Sequence, residues 1–120
     1  MAWAPMQRGD ITLVDLGPIR GAEASKLRPA VLVSNDGANS AATRNGRGVV
    51  TVVPVTTNVE RVHPFQVLLP AAATGLRADS KAQAEQVRSV DVTRLGRRVG
   101  QVPPSLMHDL EQALRIHLGL

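Results

Sequence analysis

The stretch Lys26-Leu27-Arg28-Pro29-Ala30-Val31-Leu32-Val33-Ser34-Asn35-Asp36 decides how the rest of the chain is read. A basic segment runs into Arg-Pro, then into an apolar run, then into Ser-Asn-Asp. The apolar run is too short for a helix and reads as a buried strand over residues 30–34. Pro29 fixes its own φ and confines Arg28 to extended backbone. Arg28 therefore stands at the mouth of a rigid element that can aim its charge. Taken alone, such an arginine is either a structural anchor paired with a carboxylate or a phosphate-binding group.

On the N-terminal side, residues 1–7 read as a loose arm and Arg8-Gly9-Asp10 as a turn. The alternation from Ile11 to Asp15 predicts a first strand. A long connection over residues 17–28 follows, carrying Glu23. A loop of that length in a small domain is more often functional than structural. On the C-terminal side, residues 39–44 can hold one helical turn, and Asn45-Gly46 marks a turn. Residues 48–57 make the longest strand. Its Pro54 cannot donate to a ladder, which implies a sheet edge or a bulge.

Residues 64–69 predict a fourth strand, with Phe65, Val67 and Leu69 on one face. Thr74-Gly75 centres a turn. Residues 80–90 alternate as a fifth strand that is polar on both faces. A capped turn over 91–94 and a short strand over 95–102 complete the β portion. Pro103-Pro104-Ser105 then opens a helix. Leu106, Leu110, Ala113, Leu114 and His117 share one of its faces. Glu111 and Arg115 are spaced for an i,i+4 pair, and Gly119 suits the C-cap. Strands first and a helix last argue against βαβ units. The expectation is one domain over 1–120: a small, partly closed antiparallel β-barrel with a C-terminal α-helix.

Composition narrows the function. The 120 residues include 20% charged and 43% hydrophobic, ordinary globular values that argue against disorder. Trp3 and Phe65 are the sole Phe, Tyr or Trp residues, so the core is built from Val, Leu, Ile and Ala. That scarcity argues against a nucleic-acid surface made mainly of stacked aromatic rings. The net charge of +4 permits a polyanionic partner without demanding one. All basic residues except Lys26 and Lys81 are arginine, the side chain that grips phosphate bidentately.

There is no cysteine, which excludes disulfides and thiolate nucleophiles. No apolar stretch approaches a membrane span, and the first residues lack a signal-peptide core. A cytoplasmic protein without membrane association is expected. His63, His108 and His117 lack metal-ligand spacing, and no metal or cofactor is expected. There is no G-x-S-x-G elbow and no glycine-rich loop before a helix. What remains are polar groups at strand ends: Arg28, Thr56 and Thr57, Glu23 in the long loop, and Gln83, Glu85, Gln86 and Arg88 on the polar fifth strand.

Arg8-Gly9-Asp10-Ile11, Val14-Asp15-Leu16, Gly21-Ala22-Glu23 and the Arg28-Pro29 stretch together resemble the opening of the MazF/PemK toxins. Val52-Val53-Pro54-Val55-Thr56-Thr57, His63-Pro64-Phe65-Gln66-Val67 and Glu85-Gln86-Val87-Arg88-Ser89-Val90 continue the resemblance in order, over about residues 7–118. The resemblance implies an SH3-like barrel (CcdB/PemK-like) with a C-terminal helix and a homodimer. It also implies sequence-selective, metal-independent cleavage of single-stranded RNA.

Carried over by motif, the catalytic residues are Arg28, Thr56 and Glu23. Lys26, Thr57, Arg61, His63, Asp79, Gln86 and Arg88 are the expected RNA contacts. An acidic, partly disordered antitoxin is the implied protein partner. Ala22 departs from the Gly-Ser-Glu motif of many relatives and removes a hydroxyl from the first loop. The competing readings are a non-enzymatic toxin of the same fold that inhibits a protein target such as DNA gyrase, and an RNA-binding module that does not cut.

Overall fold

The computed structural model describes residues 6–17 and 27–120. Strands β1 (Asp10–Asp15) and β2 (Leu27–Leu32) come first, followed by helix α1 (Asp36–Asn45). Strands β3 (Val49–Thr56) and β4 (Gln66–Leu69) precede the single turn α2 (Ala71–Thr74). Then come β5 (Ser80–Gln83), β6 (Arg88–Asp91), β7 (Leu95–Gln101) and helix α3 (Pro104–Leu118). The sheet is antiparallel, in the order β4-β5-β3-β2-β1-β7, with β6 also paired to β3.

Alternation along the strands divides the core in two. Ile11, Val31, Val53, Val55, Val67 and Leu69 face one way and pack with Met107, Leu110 and Ala113 of α3. Val14, Ala30, Leu32, Val50, Val52, Val90 and Leu95 face the other way, inside the curl of the sheet. Met6 closes this second cluster and is only 9% exposed, so the N-terminal arm is packed where it meets the barrel.

The tail of the opening stretch has a structural role. Ser34 donates its hydroxyl to Asn39 Oδ1 at 2.5 Å, and Asn39 Nδ2 donates to the Ser34 carbonyl at 2.8 Å. The Ser34 hydroxyl also accepts the Thr51 N–H at 3.1 Å. Asn35 caps α1 by accepting the Ala38 N–H at 2.8 Å, and Asp36 accepts the Arg8 N–H at 2.7 Å. The helix therefore runs ten residues rather than one turn. Its burial is confined to Asn39 and Ala42, so no apolar stripe announces it. Asn45-Gly46 is not a hairpin turn but the end of this helix, with Gly46 in the left-handed conformation.

Four other expectations are corrected. Pro54 lies neither at an edge nor at a bulge. β3 pairs with β6 up to Val52 and with β5 from Val55, so Pro54 falls where one neighbour hands over to the next. Its missing N–H costs nothing there. The expected fifth strand over 80–90 is two strands, β5 and β6, separated by a 3-10 turn at Ala84–Gln86. Alternation continues through the turn in sequence, which hid the break. On α3, Leu110 and Ala113 are buried and Leu106 and Leu114 half-buried as expected, but His117 is exposed and Met107 joins the buried face. Glu111 pairs with Arg8 at 3.0 Å rather than with Arg115, because Arg8 is anchored beside it through the Val33 carbonyl.

Asn39 is fully buried and joins α1 to β2 and, through Ser34, to β3. Asn39→Ala leaves buried polar groups without partners and is expected to cost about 1–3 kcal/mol, read as a lowered midpoint in urea unfolding.

Candidate functional site

β2 is hydrogen-bonded to β1 and to β3, so its first residues are held before any ligand arrives. Arg28 is opposite Val14 of β1, and Ala30 is opposite Pro54 of β3. Continued two residues further, the β2–β3 register sets Arg28 level with Thr56. Residues opposite each other in an antiparallel pair project from the same face, with Cβ atoms about 5 Å apart. Arg28 and Thr56 thus share one face of the sheet, at the end where β2 begins and β3 stops.

Arg28 is exposed, and its guanidinium has no hydrogen bond or ion pair among the described residues. The anchor reading required a carboxylate partner, and none of the described residues supplies one. Thr56 is half-buried, and its Oγ1 accepts the Asn58 N–H at 3.2 Å. That contact occupies a lone pair and leaves the hydroxyl proton available to an incoming acceptor. Thr57 is exposed beside it.

The segment 57–65 is fastened over this face. Lys81 of β5 is the register partner of Thr56, so the two side chains point the same way. Lys81 is only 7% exposed, and its Nζ donates to the Arg61 carbonyl at 2.5 Å. The Gln66 carboxamide accepts the His63 N–H at 3.1 Å and donates to Glu85 Oε2 at 2.5 Å. Asn58 Oδ1 accepts the Glu60 N–H at 3.3 Å. The rings of His63 and Phe65 stack, with centroids 5.0 Å apart. The polarity of the expected fifth strand therefore has a cause: its outward side chains hold a loop.

The remaining expected contacts fall around this frame. Gln86 is exposed in the 3-10 turn beside Pro54. Arg88 opposite Val52 is also exposed, and one of its nitrogens donates to the Leu16 carbonyl at 2.9 Å. Arg61 is exposed on the loop. Asp79 uses Oδ1 to accept the Ala71 N–H at 2.8 Å, which ties down the α2 turn. Glu23 and Lys26 lie outside the described residues. Lys81, Gln66 and Phe65 were missed as contributors to the site. The one available signal was that Lys81 is one of only two lysines in an arginine-rich chain. A cleft of about 830 Å³ lined by Arg8, Thr74, Gln101, Met107 and Glu111 contains neither Arg28 nor Thr56. The Arg28–Thr56 pair lies on an open face, which suits a polymer better than a small ligand.

Comparison with known proteins bears on the family and the fold. The family model described as "PemK-like, MazF-like toxin of type II toxin-antitoxin system" matches residues 7–118. The chain belongs to this toxin family. It is 58% identical over 115 residues to "Endoribonuclease MazF9" of Mycobacterium tuberculosis, covering 96% of this chain and 98% of that protein. It is 31% identical to "Endoribonuclease MazF" of Staphylococcus saprophyticus, covering 96% and 92% of the two chains. Among solved structures, an "Endoribonuclease in complex with its cognate antitoxin from Mycobacterial species" superposes with a TM-score of 0.74 at 25% identity, covering 96% of each chain. MazF of Deinococcus radiodurans shares the fold with a TM-score of 0.73, over 98% of this chain and 99% of that one. The expected mainly antiparallel sheet with a C-terminal helix is the fold of these MazF structures.

If Lys81 holds the loop of this MazF-family toxin, Lys81→Met removes the donor while keeping the apolar stem. Hydrogen exchange at the amides of residues 58–63 is expected to quicken by about tenfold, as loss of roughly 1.4 kcal/mol of local stability predicts. Exchange in β2 is expected to stay as in the wild type.

Proposed function

We propose that this chain is a sequence-selective endoribonuclease toxin that cuts single-stranded RNA and is neutralised by a cognate antitoxin. The observation that carries the reading is Arg28: exposed, without a partner among the described residues, and level with Thr56 on a rigid strand.

The chemistry follows from what these groups can do. The RNA 2′-oxygen attacks the adjacent phosphorus, a 2′-O–P bond forms, and the P–O5′ bond breaks. One proton leaves the 2′-hydroxyl and one reaches the departing 5′-oxygen. The products are a 2′,3′-cyclic phosphate and a 5′-hydroxyl. Arg28 faces the phosphoryl oxygens, where negative charge grows, and an arginine that is not already neutralised stabilises that charge best. Arg28 also delivers the proton to the leaving oxygen. Thr56 donates its hydroxyl to a phosphoryl oxygen. Arginine rests protonated at any ordinary pH, so it can give a proton but is a poor base, and Glu23 is assigned the 2′-proton. No step calls for a cofactor or metal.

Lys26, Thr57, Arg61, His63, Asp79, Gln86 and Arg88 position the strand. In a two-fold homodimer the loops of both copies flank one groove. The excess positive charge favours an acidic antitoxin laid along the same surface. Cleavage of cellular RNA assigns the action to the cytoplasm. Among the described residues no helix is long and apolar enough to cross a membrane.

The test is to incubate pure protein with a long RNA in excess EDTA and map the ends. Discrete cuts with cyclic-phosphate and 5′-hydroxyl ends are expected, and a 2′-deoxy residue at the cut position is expected to block cleavage. Arg28→Ala should lower kcat roughly 10²–10³-fold, the cost of losing one transition-state donor. Intact RNA with folded wild-type protein defeats the endoribonuclease reading and leaves the non-cutting alternatives. Full activity in Glu23→Gln removes Glu23 from its role and leaves the rest standing.

A further inference from the structure

We infer that the stacked rings of His63 and Phe65 form a platform for one nucleobase of the bound RNA, and so help choose which bond is cut. The inference rests on the endoribonuclease reading above. The two rings are parallel to within 2°, with centroids 5.0 Å apart. Both residues are half-buried, so the stack keeps a solvent-facing side. Phe65 belongs to neither apolar cluster. The chain's single phenylalanine is therefore not used to build the core, although rings are scarce in this sequence.

The platform is also fixed relative to the site. Its segment begins immediately after Thr56. Lys81, on the same face as Thr56, holds that segment at the Arg61 carbonyl, and Gln66 holds it at the His63 N–H. Gln66 is in turn braced by Glu85. A base stacked on the rings would thus sit at a set distance from the phosphate presented to Arg28 and Thr56. Proteins that read single-stranded RNA stack splayed bases on Phe, Tyr, Trp or His. Few aromatic residues exclude a surface of many rings, but not one pair, and the count of Phe, Tyr and Trp omits histidine. One platform fits recognition of a single base within a short sequence.

The experiment uses a short RNA containing the wild-type cut site, with each base around the cut replaced in turn by an abasic residue. Wild type, Phe65→Leu and His63→Leu are compared by kcat/KM. Phe65→Leu is expected to lose about 5- to 100-fold on the intact RNA, the value of one base–aromatic stack. At one position the abasic substitution should cost the wild type a similar factor and cost Phe65→Leu nothing more; at other positions the losses should multiply. Wild-type kcat/KM in both variants, or multiplying losses at every position, overturns the platform while leaving cleavage intact. Failure of the wild type to cut defeats the underlying reading instead. If exchange at residues 58–66 shows that Phe65→Leu frees the loop, His63→Tyr and His63→Leu decide. The ring-bearing variant should keep the distinctive position and the aliphatic one lose it. Equal behaviour of the two overturns the proposal.

Discussion

The pairing of β2 with β3 is the constraint on which the rest of the molecule depends. Ala30, Val31 and Leu32 lie opposite Pro54, Val53 and Val52. A slip of one residue would turn every side chain of β2 to the other face. Val31 would leave the cluster beneath α3, and Ala30 and Leu32 would leave the barrel interior. Arg28 would then point away from Thr56. The two apolar clusters therefore set the register, and the register sets the site. Pro54 belongs to the same arrangement, because it occupies the point on β3 where β6 has ended and β5 has not begun.

The structure sorts arginines that composition treats alike. Arg8 is committed to Glu111 and the Val33 carbonyl, Arg94 to Asp15, Arg98 to the buried Asp10, and Arg88 in part to the Leu16 carbonyl. Arg28 makes no such commitment among the described residues. An exposed guanidinium stays hydrated, so leaving it without a carboxylate costs the fold little. Pairing it would weaken the field that a phosphate brought to the proposed site would meet. Its backbone, in contrast, is held by pairing with Val14 of β1, two residues before β2 also joins β3. A free charge on a fixed stem is what stabilisation of a developing phosphoryl charge requires.

The loop after Thr56 obeys a different economy. It contributes no residue to the core clusters, and its order comes from polar anchors on the outer side of β5 and the turn that follows. Lys81 gives its ammonium to a single carbonyl, Gln66 bridges to His63 and Glu85, and Asn58 and Thr56 close small turns. These contacts are made by side chains that a strand with one wet face would otherwise leave in water. They give a surface connection a defined position beside the candidate site.

The strands around Arg28 and Thr56 were legible because alternation and apolar runs report local burial. The helix α3 announced itself by Pro103-Pro104 and the spacing of Leu106, Leu110 and Ala113. Arg28 and Thr56 were legible as members of family motifs, each at the end of a readable strand. Helix α1 was not, since only Asn39 and Ala42 are buried and no stripe marks it. Nor was the break at Ala84–Gln86, where the alternation passes unchanged through a change of partner. Sequence alone determined which residue types stood at the strand ends, because strand periodicity and turn chemistry are local. Only the tertiary structure decided that Arg28 and Thr56 share a face and that Lys81 and Gln66 fasten the loop beside them. Those relations depend on register, on the Lys81–Arg61 contact and on the Glu85 brace of Gln66, the last two spanning 20 and 19 residues of chain, which no local pattern encodes.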